Sequence, residues 1–558
     1  MMFMRVDLFK NNVSDNKWFK KTDLSISILL IYFLISLTAY SDDLPVELNS
    51  SLIQIKTINI QIRDIYQSSE DNWLYNFANK YHINTKEHVV LTLLPMALGD
   101  YVSPNDLLEA ERLLRGKRYL RDASITLSKD GLLDVKVIDN WTLFPTLSFS
   151  RSGGENSSSI GIKDTNFLGQ GIATTFKYQK DDQKSGYRFR VTTPTSLIKH
   201  SYASLVMGEY DTGSLRKLSF EKPFYTSDSS RMIQALIKTE EQESTFYQND
   251  QQLGVSLTDS SNLALSYGWL RSERDDTAYR ALIGSSFYRL DLKQASHPDL
   301  INYFSVRNKS FLWWGQERYQ SKFQVLTNIY MLTNKEDINL GFHDRYQIGL
   351  GRIEKAIGED IINPQLETST MFILSYTASQ GYEFAQGLLL HRFDLSTEAY
   401  DNQTLDNFYS FNYQADYFYP MTEKWSLYLG NSLSHVSEFR EQTLGLGGDT
   451  GLRGYPTQYQ HGKNRWLSSL EIRYYSDVEL FESIAIGYVA FVDVGRAWET
   501  EGESNLEQKT LKSVGIGLRL FPKVVSGRNV FHIDFARPLS SQRELNDWEW
   551  RVQIKNKF

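Results

Sequence analysis

The sequence predicts a mainly β protein: a transmembrane antiparallel β-barrel of about 16 strands, preceded by one small α+β domain. Three observations carry this. Aromatic residues make up 13% of 558 positions while prolines number 12, which suits extended strands, and the mean hydropathy of −0.40 argues against a bundle of apolar helices. Segments from about residue 141 onward alternate between an apolar and a charged face. Helical spacing is confined to residues 53 to 140.

The elements follow in chain order. SISILLIYFLISLTAYS, residues 25 to 41, comes after Lys17, Lys20 and Lys21 and ends in small residues, so residues 1–41 are expected to form a signal peptide and 42–52 a short linker. TINIQIRDI alternates as a strand. A first helix is expected with Thr85 as N-cap, Glu87 in the first turn, apolar Val89, Val90, Leu93, Leu94 and Ala97, and Gly99 as the stop. A second should open on Ser103 with Pro104 in its first turn and close at Gly116. Asp130-Gly131 lies between two alternating runs and predicts a hairpin. The order is strand, helix, helix, strand, strand.

The remainder, residues 141–558, reads as β only, with polar separators such as KDDQKSG and SERDDT. In IAIGYVAFVDVG, Ile484, Ile486, Tyr488, Val492 and Val494 share one face, opposite Val489, Phe491, Asp493 and Gly495. SVGIGLRLF sets Val514, Ile516, Leu518 and Leu520 against Gly515, Gly517 and Arg519. In DWEWRVQIKNKF, Trp548, Trp550, Val552, Ile554 and Phe558 oppose Glu549, Arg551, Gln553, Lys555 and Lys557. An apolar face opposite a charged one is what lipid outside and water inside demand of a closed sheet. At roughly 26 residues per strand with its loop, the segment gives about 16 strands.

Composition removes several chemistries. Cysteine is absent, so no disulfide framework, thiolate metal site or cysteine nucleophile exists. A formal charge of −7 without Lys/Arg clusters argues against nucleic acid as a partner. No G-x-S-x-G or H-E-x-x-H occurs, and His82, His88, His461 and His532 are scattered. No catalytic residue, cofactor or metal site is expected, and the protein is not expected to be an enzyme.

The stretch LGLGGDTGLRGYP, residues 444 to 456, is the candidate functional motif. A phosphate-binding reading fails because no helix follows and the glycine spacing is wrong. In a barrel, the loop can enter the polar lumen, where an arginine needs counter-charge. In RWLSSLEIRYY the apolar face is Trp466, Leu470, Ile472 and Tyr474, which turns Glu471 inward, and the same alternation turns Asp493 inward. Arg453 is expected to engage both carboxylates, while the glycines let the backbone thread a crowded lumen.

These residues carry a family resemblance. Gly99-Asp100, ERLLR (Glu111 to Arg115), YLRDASI (Tyr119 to Ile125) and the hairpin resemble a POTRA domain, the periplasmic module found before outer-membrane barrels. Gly447-Gly448, then Leu452, Arg453, Gly454 and Tyr455, and FVDVG from Phe491 to Gly495 resemble the loop and strand motifs of the BamA and two-partner-secretion superfamily. DTNFLGQG, EKPFY, GIGLRL and the terminal Phe558 add to it. The resemblance implies a loop folded into the barrel with its arginine on acidic neighbours, and a C-terminal strand (Trp550, Ile554, Phe558) that serves the protein's own insertion. It also implies residence in the outer membrane of a Gram-negative bacterium, with the POTRA-like domain (53–140) in the periplasm. Expected partners are client or secreted polypeptides, outer-membrane lipid and periplasmic accessory proteins. The implied function is insertion or export of client polypeptides, with a dedicated secretion pore or a passive channel as alternatives. The single POTRA-like module departs from relatives that usually carry two or more.

Overall fold

The computed structural model describes residues 52–65, 80 and 82–555, apart from 153, 182, 227, 249–250, 297–305, 331–334, 358–364, 439–443, 449, 481–483, 500–508, 523–529, 540–544 and 546. The proposed signal peptide and Phe558 lie outside the described residues.

A small α+β unit comes first: β1 (Ile53–Gln54), β2 (Thr57–Arg63), α1 (Glu87–Leu93), β3 (Tyr101–Val102), α2 (Pro104–Arg115), β4 (Leu120–Leu127) and β5 (Leu132–Asp139). In the three-stranded sheet β5 is central, parallel to β2 and antiparallel to β4. Its core is Val135 and Val137 of β5 against Val89, Val90 and Leu93 of α1 and Ala110 and Leu114 of α2. α2 has a capping box: the Asp106 amide donates to Ser103 Oγ at 3.4 Å and the Ser103 amide donates to Asp106 Oδ2 at 2.7 Å. The turn before β5 needs Gly131, whose φ is +93°; an added Cβ would lie 2.6 Å from the Gln54 carbonyl oxygen.

The first helix corrects the sequence expectation at both ends. Lys86, not Thr85, is its N-cap, because Thr85 is drawn away: its amide donates to Asp139 Oδ2 at 2.7 Å and its hydroxyl accepts from Asn166 Nδ2 at 2.7 Å. The helix stops at Leu93, well short of Gly99, because Pro95 forces Leu94 into an extended conformation (ψ 131°).

Twenty antiparallel strands, from Leu143–Ser152 to Glu549–Lys555, close into a barrel. The expectation of about 16 was too low because several connections are shorter than assumed. Asp275-Asp276 and Ala385-Gln386 each join long strands through two residues, all four with positive φ, the geometry of a tight hairpin turn. Neither pair has the Asn-Gly or Asp-Gly chemistry that marks such turns in sequence. The outward side chains are apolar and exposed, as with Ile162, Phe176, Leu218 and Ile516. No helix among the described residues is long and apolar enough to cross a membrane.

The small unit is fastened to one end of the barrel. The Lys86 amide donates to the Gly169 carbonyl (2.9 Å), Tyr225 Oη donates to the Leu93 carbonyl (2.8 Å) and Lys117 Nζ donates to Tyr202 Oη (2.8 Å). Arg112 stacks on Phe323 at 4.8 Å. His200, in a turn between strands, stacks on the Tyr225 ring at 4.0 Å and 7°. Burial, with Lys199, Lys222 and Lys117 nearby, holds the His200 imidazole down at about 4.

A histidine depressed in the folded state binds fewer protons there than in the unfolded chain, so its contribution is complete above its ordinary pKa of about 6.5. That contribution is lost as pH falls towards 4. Hydrogen exchange in α1, corrected for intrinsic rates, should therefore rise as the pH drops from 7 to 4.5. His200→Gln should abolish that acid-specific rise; an unchanged rise would exclude this histidine.

Candidate functional site in the barrel lumen

The loop before the strand Asn464–Leu480 turns into the barrel interior. It closes on itself through the Leu446–Gln460 bridge, the Gly448 amide on the Pro456 carbonyl (3.0 Å) and the Leu452 amide on the Gly447 carbonyl (3.0 Å). A Cβ on Gly447 would sit 2.2 Å from the Pro456 oxygen, so no larger residue fits that crossing. Leu452 and Tyr455 are fully buried and pack with Leu446, Tyr459, Ala497 and Leu511. Tyr455 Oη donates to the Lys512 carbonyl at 2.8 Å.

Gly454 (φ +88°) follows Arg453, whose guanidinium is aimed at the wall. Nε donates to Asp493 Oδ2 at 2.7 Å, Nη2 to Asp493 Oδ1 at 2.6 Å and Nη1 to Glu471 Oε1 at 2.8 Å. The structure thus brings Arg453, Glu471 and Asp493 together, with exposures of 5%, 6% and 0%. The guanidinium also lies 3.4 Å from the centre of the Phe491 ring, a cation–π contact.

The wall under this contact is built from register. Glu471, Phe491, Gly515, Ala536 and Glu549 are successive cross-strand partners on one inward line. The next line runs Arg473, Val489, Gly517, Asp534, Arg551. Gly515 makes room for the Phe491 ring, since an added Cβ would come within 2.4 Å of it; a Cβ on Gly517 would meet Asp534 Oδ1 at 2.1 Å. Gly495 lies on the inward face of the Phe491 strand, where a Cβ would crowd Leu446 of the loop at 3.2 Å.

Sequence reasoning missed several members of this site. Arg473 donates to Glu471 Oε2 at 2.9 Å, and Arg519 to Asp534 Oδ1 at 2.6 Å. Glu549 accepts from the Gly454 amide through Oε2 and from the Gly154 amide through Oε1, both at 3.0 Å. It therefore ties the loop to the first hairpin of the barrel. Three arginines (453, 473, 519) pair with three acids (471, 493, 534), Glu549 accepts from two amides, and Arg551 and Lys555 stand on the same wall. The signal was present, since Arg473 lies two residues from Glu471 and Glu549 and Arg551 occupy the charged face of the last strand.

A second lumen segment had no sequence signal. The hairpin of Phe323–Thr327 and Lys335–Asn339 starts beside the small unit, where Phe323 meets Arg112. Its end reaches the same wall: the Asn328 carbonyl accepts from Tyr475 Oη (3.0 Å), the Ile329 carbonyl from Arg473 Nη1 (3.4 Å), and Tyr330 stands edge-on to Phe418. Between hairpin and loop lies a cavity of about 250 Å³ lined by Tyr330, Asp416, Tyr428, Arg453, Glu471 and Arg473.

Trp550 of the last strand faces outward and stacks on Phe149 of the first, ring centres 6.4 Å apart; Ile554 continues that strand. Among the described residues no group of three or more His, Cys, Asp or Glu is placed to hold a metal ion. His82 instead pairs with Asp139 at 3.0 Å, and His88 with Gln170 at 3.0 Å.

Removing Arg453 leaves Asp493 buried without its guanidinium partner and takes one of the two arginines from Glu471, a loss of about 3–5 kcal/mol. Arg453→Ala should lower the temperature at which the folded barrel loses its compact electrophoretic mobility, and Arg453→Lys, unable to form the bidentate pair, should fall between. The swap of Arg453→Glu with Asp493→Arg should recover part of the loss; mobility equal to wild type in Arg453→Ala would exclude a fastening role.

Residues 393–558, which hold the loop and the acidic wall, match the Omp85 superfamily domain. No curated protein matches the chain. Among solved structures, BamA from Haemophilus ducreyi lacking POTRA domains 1-3 is similar at 14% identity, over 96% of this chain and 94% of that one, with a TM-score of 0.44. CdiB from Acinetobacter baumannii is similar at 14% identity over 90% and 74%, TM-score 0.41. CdiB from Escherichia coli is similar at 10% identity over 96% and 98%, TM-score 0.41.

Proposed function

We propose, on the premise that residues 393–558 are an Omp85 superfamily domain, that the protein is a non-enzymatic outer-membrane factor that inserts or exports client polypeptides. In this reading the unit at residues 53–140 is a POTRA-like domain on the periplasmic side, and it receives clients.

The observation that carries the reading is the seam. Neighbouring barrel strands elsewhere share at least seven paired positions, as in the Val530–Pro538 and Glu549–Lys555 pair. Among the described residues, the first and last strands share one, Val552 with Arg151. Closing a barrel removes its edges; a seam this short leaves backbone donors and acceptors of both strands open to a third strand, so a client can be templated there by strand addition. The seam is held instead by side chains: Phe149 on Trp550, Arg151 over Trp550 at 5.4 Å, and Glu549 to Gly154. Side-chain contacts can part without unzipping a ladder.

Within this reading Arg453 is a fastener that holds the lumen loop and, through Gly454 and Glu549, the seam. A dedicated exporter would use the lumen rather than the seam, and the two differ in what the small unit captures. Photo-crosslinkers at exposed positions of residues 53–140, read by mass spectrometry in intact cells, should capture several unfolded barrel proteins; capture of one secreted protein only would favour the exporter.

Because the chain lacks cysteine, the seam can be locked cleanly. Arg151 and Val552 are cross-strand partners, a relation whose Cα separation of about 4.5–5.5 Å suits a disulfide. Arg151→Cys with Val552→Cys should stop client insertion under oxidising conditions and restore it with reductant. Full activity in the oxidised form would exclude an opening seam.

A further inference from the structure

The wall opposite in character to the arginine–acid cluster lies early in the barrel. The strands from Glu155–Phe167 to Arg231–Gln248 carry two adjacent inward lines of cross-strand partners. One runs Lys163, Thr175, Arg190, Val206, Lys217, Lys238; the other Gly161, Lys177, Arg188, Gly208, Leu215, Glu240. Alternation fixes their side, because Ile162, Phe176, Phe189, Leu218 and Ile237 hold the opposite, exposed face. Six of these twelve positions are cationic and one is acidic. Lys238 takes the Glu240 carboxylate at 2.6 Å. Lys163, Lys177, Arg188, Arg190 and Lys217 form no ion pair among the described residues.

This contrasts with the far wall, where Arg453, Arg473 and Arg519 pair with Glu471, Asp493 and Asp534. Like charges at adjacent register positions, such as Lys177 opposite Arg188, repel one another, and five cations here stand without the carboxylate partners that Arg453, Arg473 and Arg519 have. The positive surface continues into the small unit: Arg118 lies near enough to repel Lys163, and Lys117 reaches Tyr202 at the barrel mouth.

We propose that this wall is a binding track for an extended, carboxylate-rich polypeptide segment, entering from the end where the small unit sits. Adjacent strands lie about 4.8 Å apart, so six strands spread the cations over roughly 24 Å, the length of about seven extended residues. Each carboxylate would find a cation whose counter-charge the fold does not supply. A lipid headgroup presents phosphate to the same cations, but its acyl chains would have to follow it into a polar lumen lined by these residues, which costs the burial they would otherwise gain. A polypeptide carries no such tail. The choice of a polypeptide as occupant rests on the proposed function; the anionic chemistry of the site does not.

The test is fluorescence anisotropy of a fluorescein-labelled Glu/Ser-repeat peptide of fifteen or so residues with the purified full chain in neutral detergent. Expected are saturable binding that weakens as salt screens it over a Debye length of about 8 Å, and a loss on the order of tenfold or more in affinity for Lys177→Gln/Arg188→Gln/Arg190→Gln/Lys217→Gln. Lys129→Gln/Lys293→Gln/Lys424→Gln, on cations outside the wall, should bind as wild type. Should the quadruple variant lose its compact mobility, Arg190→Gln alone, at an exposed position, must still weaken binding. Equal affinity in wild type and wall variants, or binding indifferent to salt, would overturn the proposal. A short-chain phosphatidic acid probe that depends on the wall while the peptide does not would overturn it in favour of lipid. Binding requires no client turnover, so peptide binding in a barrel that handles no client would fail only the proposed function.

Discussion

The pairing of Arg453 with Asp493 and Glu471 is the contact on which the lumen architecture depends. An arginine this deeply buried gives up its hydration, and only a geometry that satisfies the guanidinium on several sides offsets that loss. Here one carboxylate takes two donors, a second takes one, and an aromatic face covers the plane. Each requirement propagates outward. The aromatic ring needs the space left by Gly515, the backbone crossing needs Gly447, and the second carboxylate oxygen of Glu471 is met by Arg473 from its own strand.

The two halves of the lumen then differ in how their charges are partnered. Along the strands from Asn464 to Lys555, Arg453, Arg473 and Arg519 are paired with acids of the wall. From Glu155 to Gln248, Lys163, Lys177, Arg188, Arg190 and Lys217 form no ion pair among the described residues. The hairpin of Phe323–Asn339 stands with its origin beside the small unit and its end against Arg473, so it adds its apolar cluster with Leu340, Leu388 and Phe418 to the occupied side. The open, charged surface is therefore one-sided.

Much of this was legible in the sequence because a barrel strand obeys a period of two. The alternation around Asn464–Leu480 and Ile484–Trp498 placed Glu471 and Asp493 on the inner face without any three-dimensional information, and a lone arginine among glycines asked for those acids. Register was not legible. Nothing in the sequence says that Glu471 stands opposite Phe491, or that Lys163 and Lys217 share one line, because pairing is settled by turns such as Asp275-Asp276 and Ala385-Gln386 that carry no turn-specific chemistry. The strand count failed for the same reason. The end of α1 was mistaken because Gly99 looked like a stop while Pro95 had already imposed one, and the Phe323–Asn339 hairpin was invisible because five-residue strands look like any polar connection.

The seam links the loop to the barrel's closure. With a single paired position among the described residues, the backbone ladder between Leu143–Ser152 and Glu549–Lys555 supplies little of the closing energy, since each net hydrogen bond contributes only about 0.5–1.5 kcal/mol. Glu549 supplies a charged acceptor to two amides at once, Gly154 on the first hairpin and Gly454 on the loop, and charge-assisted bonds are roughly twice as strong as neutral ones. The position of Gly454 is set by its neighbour Arg453. A displacement of Arg453 from Asp493 therefore withdraws one donor from Glu549, and the carboxylate that remains is held across the seam by Gly154 alone. Arg453 and Gly454 are adjacent residues of one loop, so the ion pair in the lumen and the hydrogen bond to the last strand share one stretch of backbone.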